Sequence, residues 1–198
     1  MKTITPKPLV LSLLLACSLM AAKPVGDPVA VKLKSQSTSV QIAGSSSLHD
    51  WTEKSDKGTA EAIFTFTGDK ISGVSALTFT VPAKSLKSEH TMMDNNTYKA
   101  LNADKNPNIT YVATSANVTS VDANTYNIKS IGKLTIAGTT NETEVVATAK
   151  VNSDKSITIT GSKKFKMSEY GVKPPTAMFG TIKTGDPLTI SYDVKFVK

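Results

Sequence analysis

The sequence predicts an all-β protein built from antiparallel strands. Between residues 59 and 198, successive stretches place apolar side chains at every second position, so each stretch has one apolar and one polar face. Short segments rich in Gly, Asn and Asp separate these stretches and are typical of turns. Seven or eight such strands indicate either a sandwich or a closed barrel.

The strands follow a proline-containing linker at residues 23–28. In each stretch the alternating apolar residues are expected to share one face. In chain order these residues are Ala60, Ala62, Phe64 and Phe66; Leu77, Phe79 and Val81; Ile109, Tyr111 and Ala113; Tyr126, Ile128, Leu134 and Ile136; Val145, Ala147, Ala149 and Val151; Ile157 and Ile159; and Leu188, Ile190, Tyr192, Val194 and Phe196.

Two segments interrupt the alternation. The spacing of Met93, Tyr98 and Leu101 in residues 89–102 predicts one short helix or two turns, which Asn106-Pro107 ends. Residues 165–187 contain two adjacent prolines and three glycines, and they predict a long loop before the last strand. Long loops in small domains tend to be functional, and an apolar loop must either enter the core or cover something.

The N-terminus has the features of an export signal. Basic Lys2 and Lys7 precede an apolar run that is too short to span a bilayer as a permanent helix. One interpretation is a signal peptide at residues 1–22, followed by a single domain at 23–198. The other is a lipoprotein leader that ends before Cys17, the sole cysteine. Either interpretation predicts a periplasmic or secreted protein, and the second adds an anchor through Cys17.

Composition argues against nucleic-acid binding. The formal charge is +7, and all 23 basic residues are lysines interspersed with acidic residues. Without arginine the chain lacks the bidentate group that grips phosphate and reads guanine. The charge therefore indicates solubility, with weak attraction to anionic surfaces.

The stretch GSSSLHDWT, residues 44–52, brings Ser47, His49 and Asp50 close together in the sequence. On a strand, neighbouring residues point to opposite faces, so these three cannot form a hydrolytic triad. A metal site would need His49, His90, Glu89 and Asp50 to converge, and zinc requires three or four such ligands. We therefore expect no catalytic residue, no metal and no cofactor, and a protein that is not an enzyme.

The apolar faces leave two interpretations open. Large and small inward residues can interdigitate to fill a core. Alternatively, small residues such as Ala60, Ala62, Ala113, Ala147 and Ala149 can leave a tube inside a barrel of about eight strands.

An ordered series of motifs resembles the YceI-like family, exported bacterial lipid-binding proteins with a lipocalin-like barrel. The series is GSSSLHDWT, VSALTFTVPAKSL, MMDNNTYKALNADKNPNITY, GKLTIAGTTNETEVVATAK and FKMSEYGVKPPTAMFGTIKTGDPLTISYDVKF. The resemblance covers residues 39–196. It departs where many relatives carry an arginine and this chain has Lys166, which puts a pyrophosphate head group in doubt.

The resemblance implies an antiparallel barrel of about eight strands with a short helical insertion, enclosing an apolar tunnel. Its implied ligand is an isoprenoid, a quinone or a fatty-acid-like lipid that is bound, transported or stored in the cell envelope. By analogy, the lining residues are Phe64, Phe66, Leu77, Phe79, Tyr111, Leu134, Ile136, Ile190 and Tyr192. The residues expected to close or gate the tunnel are Met92, Met93 and Tyr98 in the helical insertion and Met178 and Phe179 in the long loop.

Two rival functions remain open at this level. One is a stress or adhesion protein with a filled core that acts through its surface, and the other is an enzyme on a lipid head group that uses His49 or His90. The sequence also leaves open peripheral membrane contact, the identity of the lipid and whether the chain forms a homodimer.

Overall fold

A computed structural model, which describes residues 26–197, shows a closed antiparallel β-barrel. The predicted leader and Cys17 lie outside the described residues. The strands are β1 (Val29–Ser46), β2 (Trp51–Ser55), β3 (Thr59–Thr67), β4 (Lys70–Pro82), β5 (Asn108–Ser120), β6 (Thr125–Ile136), β7 (Thr139–Val151), β8 (Ile157–Lys166), β9 (Thr176–Ala177) and β10 (Ile182–Val197). The helix α1 spans Thr91–Ala100.

Eight strands close the barrel. Neighbouring strands pair in the order β1, β3, β4, β5, β6, β7, β8, β10, and β10 returns to pair with β1. The short β2 does not add a ninth strand to the barrel wall, because it pairs with the second half of β1 while β3 pairs with the first half. The predicted eight-stranded lipocalin-like barrel is therefore confirmed.

Strand β6 shows how alternation produces this wall. Its inward residues run from Tyr126 to Ile136 at every second position, while Lys129 and Lys133 are exposed. The turn to β7 places Ala137 and Gly138 at φ +50° and +84°, the left-handed pair that a two-residue hairpin requires.

The predicted helical insertion is present as α1, between β4 and β5. The Tyr98 hydroxyl holds α1 against the barrel end by donating to the carbonyl of Leu86 at 2.7 Å or of Lys84 at 3.0 Å. Among residues 26–197, no helix has the length and apolar character needed to cross a bilayer.

The last connection is shorter than the predicted loop at residues 165–187. β8 continues to Lys166 and β10 begins at Ile182, so the intervening segment is occupied by two 3₁₀ turns and the short β9. Gly185, Asp186 and Pro187 are turn-forming residues that obscure the strand pattern in the sequence. They fit into β10 because a register shift opposite Gly44 and Ser46 accommodates them, and Pro187 pairs with Lys166.

The barrel interior is divided into a filled end and an open end. At the filled end, Phe64 and Phe196 are fully buried, and their rings meet edge to face with centroids 5.3 Å apart. The open end, which carries α1 and the connection between β8 and β10, contains the cavities described next.

Candidate functional site

Two adjoining cavities occupy the open end of the barrel. The outer cavity, beneath α1, has a volume of about 450 Å³, and the inner cavity, nearer the filled end, about 120 Å³. Both are lined by Ile42, Leu86, Ile109, Phe165 and Ile190, so these five side chains surround the boundary between them. The two cavities therefore lie end to end between the barrel mouth and its centre.

Together the two cavities are long and narrow. Strand β10 contributes wall residues from Ile182 at the mouth to Phe196 at the filled end. At about 3.3 Å per residue, this corresponds to roughly 45 Å of strand. A tilted strand covers less distance along the axis, yet the shape still suits an extended chain better than a compact molecule.

The inner cavity is almost entirely apolar, and two tyrosines lie flat against its wall. A side chain on Gly132 would collide with the Tyr111 ring at 2.7 Å, and one on Gly161 would collide with the Tyr192 phenol. Each ring thus lies over a glycine on the neighbouring strand, which leaves the lumen open. A glycine at an inward strand position is the sequence signal that could have identified this arrangement.

Few polar groups reach the inner cavity. The hydroxyls of Tyr111 and Ser130 are 2.9 Å apart. The Tyr192 hydroxyl is buried and has no hydrogen-bond partner within residues 26–197. Burial, together with the nearby Tyr111, raises the pKa of Tyr192 to about 12. Both phenols are therefore neutral at physiological pH.

Lys163 also faces the inner cavity, half-buried on β8. Pairing between β7 and β8 ends at Ala147 and Gly161, so the wall beside Lys163 has an unpaired edge. A lysine at such an edge can line the cavity with its stem and extend its ammonium toward water.

The outer cavity differs because a carboxyl group lies in its wall. Glu53 of β2 pairs with Ile42 of β1 and is 1% exposed. The Thr97 hydroxyl of α1 donates to its Oε1 at 2.6 Å. Burial raises the pKa of Glu53 to about 7 despite this hydrogen bond, with Asp94 adding to the rise and Lys87 opposing it. Sequence analysis did not identify this residue.

Nine of the fourteen sequence-predicted lining or gating residues lie in the cavity walls: Leu77, Phe79, Met92, Met93, Tyr111, Leu134, Ile136, Ile190 and Tyr192. The other five lie elsewhere. Phe64 and Phe66 pack at the filled end, the Tyr98 hydroxyl anchors α1, and Met178 and Phe179 point away from the cavity, exposed at its rim. Contact between any of the fourteen and a ligand stays a prediction.

The GSSSLHDWT stretch forms the turn between β1 and β2, and its polar groups are engaged locally. The Ser47 hydroxyl accepts from the backbone N–H of Lys183 at 3.0 Å. The His49 Nδ1 donates to the Asp50 carbonyl at 2.7 Å. Trp51 donates from Nε1 to the Ser45 carbonyl at 3.0 Å and lines the outer cavity. This arrangement differs from a nucleophilic triad.

The barrel does bring His49 and His90 to the wall of the same outer cavity. Within residues 26–197, however, no three His, Cys, Asp or Glu side chains are grouped closely enough to hold a metal ion. The two histidines thus contribute polarity to the cavity mouth.

Exposed apolar side chains surround this mouth. We define the rim patch as Leu48, Met92, Met178 and Phe179, each at least 66% exposed. Met178 and Phe179 have φ values of +50° and +56°, which are unusual for residues with large side chains. Both residues lie in the segment that joins β9 to β10, and both side chains are exposed there.

Comparison with known proteins gives concordant results. A family model described as the YceI-like domain matches residues 31–196. No match was found among curated protein sequences.

Solved structures with the same fold share little sequence with the chain. The crystal structure of BcnA from Burkholderia cenocepacia is 20% identical, with a TM-score of 0.62, over 80% of this chain and 95% of that chain. A YceI protein from Campylobacter jejuni is 20% identical, with a TM-score of 0.55, over 72% and 82%.

A third structure is that of a polyisoprenoid-binding domain from Saccharophagus degradans implicated in plant cell wall breakdown. It is 9% identical, with a TM-score of 0.61, over 83% of this chain and 96% of that chain. At these identities the structures show a shared fold. The family model covers most of the chain, and the chain therefore belongs to the YceI-like domain family.

Proposed function

We propose that the protein is a non-enzymatic carrier that binds a long-chain isoprenoid or similar amphiphilic lipid inside its barrel. The observation that carries the proposal is the pair of adjoining, mainly apolar cavities that extends from the barrel mouth to its centre. Its outer volume of about 450 Å³ falls within the range of about 300–1,000 Å³ that is usual for ligand sites. Membership of the YceI-like family and the polyisoprenoid-binding fold neighbour support the same ligand class.

The distribution of polarity supports an amphiphile with a defined orientation. The inner cavity offers apolar walls to a tail, and burial of each methylene contributes about 0.8 kcal/mol. The outer cavity offers Glu53, Thr97, His90 and Asn96 to a polar head. Methionines 92 and 93 in the outer wall can adapt to different ligands. A protein with a completely filled core would lack such cavities.

The carrier is proposed to act in the cell envelope. The basic and apolar N-terminus supports export, either as a periplasmic or secreted protein or as a lipoprotein anchored through Cys17. The intact mass of the exported protein distinguishes cleavage after Ala22 from lipidation of Cys17.

Bound lipid provides the direct test of the proposed function. Protein purified from its native host without detergent is expected to release a long-chain lipid on organic extraction, which mass spectrometry identifies. Lipid-stripped protein is expected to take up a long-chain quinone with quenching of Trp51, because this indole lines the outer cavity. Protein that carries no amphiphile and takes none up would contradict the proposal.

The rim patch is proposed to dock on a phospholipid surface when lipid enters or leaves. It surrounds the cavity mouth, so a docked bilayer would be continuous with the lipid path. Lys173 and Lys183 flank Met178 and Phe179 and favour an anionic surface, although Asp50 and Glu89 at the same end weaken the attraction.

A Phe179→Ser substitution is expected to weaken binding to vesicles containing anionic phospholipid by about tenfold or more, because burial of a Phe side chain contributes about 1.5–3 kcal/mol. Vesicle co-sedimentation measures the change. The matched control is Val121→Ser, since Val121 is also an exposed apolar residue but lies in the turn from β5 to β6 at the filled end. Equal loss in both variants, or no binding by wild type, would contradict docking through the rim.

A further inference from the structure

We infer that Glu53 and Thr97 form a head-group subsite that selects lipids with an uncharged polar head, such as an alcohol or a carbonyl, over lipids with an anionic head. The inference rests on the proposed carrier function and specifies the class of lipid carried. It concerns the outer cavity, where β2 and α1 face each other.

The geometry places a carboxyl group in a ligand cavity. Glu53 is 1% exposed, yet it belongs to the cavity wall. Only Oε1 is engaged by the Thr97 hydroxyl, at 2.6 Å, among the hydrogen bonds of residues 26–197. The second oxygen has no hydrogen bond there, and in the inferred subsite it is the atom that meets the ligand. A protonated carboxyl group can donate to a carbonyl or an alcohol oxygen, and an ionised one can accept from an alcohol.

The charged groups around Glu53 do not neutralise it. On α1, Asp94 accepts from the Ser88 backbone and hydroxyl at 2.8 and 2.7 Å and lies 3.3 Å from the Lys87 ammonium. The positive charge of Lys87 therefore acts on Asp94 as well as on Glu53. The segments before α1 and β2 contribute Glu89 with His90 and Asp50 with His49, and both histidines line the cavity.

An anionic head beside Glu53 would meet a carboxyl group that loses its proton at about neutral pH. Above pH 7 the two negative charges would repel each other in a site with little water, where such interactions are strong. An uncharged head meets no repulsion and gains a hydrogen bond in either protonation state. The subsite therefore discriminates by charge.

Lys163 is the other charged residue that could hold a head group. Its positive charge would attract an anionic head into the inner cavity. The inner cavity is smaller and nearly apolar, which suits the tail, and Lys163 can reach water at the edge of β8. The head is accordingly assigned to Glu53, and Lys163 serves in the test as the alternative partner.

The test compares a C20 isoprenoid alcohol with its sulfate ester, two ligands that share a tail. The sulfate keeps a single negative charge across the pH range, so any pH dependence arises from the protein. Binding is measured at pH 5.5 and pH 8 through Trp51 fluorescence and by calorimetry, on lipid-stripped wild type, Glu53→Gln and Lys163→Gln. Glu53→Gln retains a group of the same shape that can accept from Thr97.

At pH 8 wild type is expected to bind the alcohol at least about tenfold more tightly than the sulfate, and at pH 5.5 this preference is expected to shrink. Glu53→Gln is expected to bind the two ligands within about threefold of each other at both values of pH. Lys163→Gln is expected to retain the wild-type preference.

Equal binding of both ligands by wild type at pH 8, or an unchanged preference in Glu53→Gln, would overturn the head-group inference and leave the carrier function intact. A sulfate preference that Lys163→Gln abolishes would relocate the head to the inner cavity and also overturn it. If neither ligand bound, the carrier function itself would fail. Should Glu53→Gln fold poorly, Glu53→Leu serves as a second uncharged variant with the same expected loss of preference at pH 8.

Discussion

An Ile190→Trp variant is expected to lose about 100-fold or more in affinity for a long-chain lipid while retaining its fold. Ile190 lines both cavities and faces the boundary between them. An indole at this position would block passage of the tail into the inner cavity. If four or more methylenes are excluded, the loss is about 3 kcal/mol or more, since each buried methylene contributes about 0.8 kcal/mol.

Chain length provides the sharpest measurement for this variant. A short isoprenoid that fits the outer cavity alone is expected to bind Ile190→Trp and wild type with similar affinity, whereas affinity for longer chains is expected to stop increasing with length in the variant. Calorimetric titration of a C10 to C40 series measures both trends.

The matched control is Ser191→Trp, which places the same indole on the exposed outer face of β10. It is expected to bind every chain length as wild type does. Thermal unfolding of both variants separates blockage from destabilisation, because overpacking of an interior costs about 1–3 kcal/mol. Unchanged long-chain binding by a folded Ile190→Trp protein would show that the tail does not occupy the path.

Alternation in the sequence predicted seven of the eight barrel strands, but it did not identify β1 or the depth of each residue along the barrel. Phe64 and Tyr111 both occupy inward positions, yet Phe64 packs against Phe196 and Tyr111 borders the inner cavity. The difference depends on strand register and on which end is filled. The alternation within one strand determines neither its register nor which end of the barrel is filled.

Sequence analysis missed residues of types that are unusual at the positions they occupy, namely a buried carboxyl group and inward-facing glycines. Glu53 occupies an inward site on a strand whose pattern, WTEKS, contains a single large apolar residue. Its burial depends on α1, which covers that part of the barrel and provides Thr97. Gly132 and Gly161 were missed for a different reason, since their role is to leave room for a ring on another strand. Conversely, Phe179 was expected to gate the tunnel, and its side chain is fully exposed in a segment where residues 178 and 179 have left-handed backbone angles.

Replacing Glu53 by Gln is expected to stabilise the protein at alkaline pH and to leave its stability unchanged at acidic pH. Burial raises the pKa of Glu53 from 4.5 to about 7 in the folded state. Between these values the folded state holds a proton that the unfolded state has lost, so the free energy of unfolding falls as pH rises. The penalty is complete above pH 7 and amounts to about 3 kcal/mol, since one unit of pKa corresponds to about 1.4 kcal/mol.

The comparison of wild type with Glu53→Gln isolates this group, because Asp94 behaves in the opposite way. Burial alone would raise the pKa of Asp94, but hydrogen bonds from Ser88 and the Lys87 ammonium lower it, so Asp94 stabilises the fold above acidic pH. Both proteins share that contribution, so it cancels in the difference apart from the direct repulsion between Asp94 and Glu53. Urea unfolding at half-unit intervals from pH 4 to pH 8.5 is expected to show equal stability near pH 4 and a widening advantage for Glu53→Gln up to about pH 8. A difference that stays constant with pH would mean that Glu53 ionises as freely in the folded protein as in the unfolded chain, and the charge discrimination assigned to the outer cavity would then lose its physical basis.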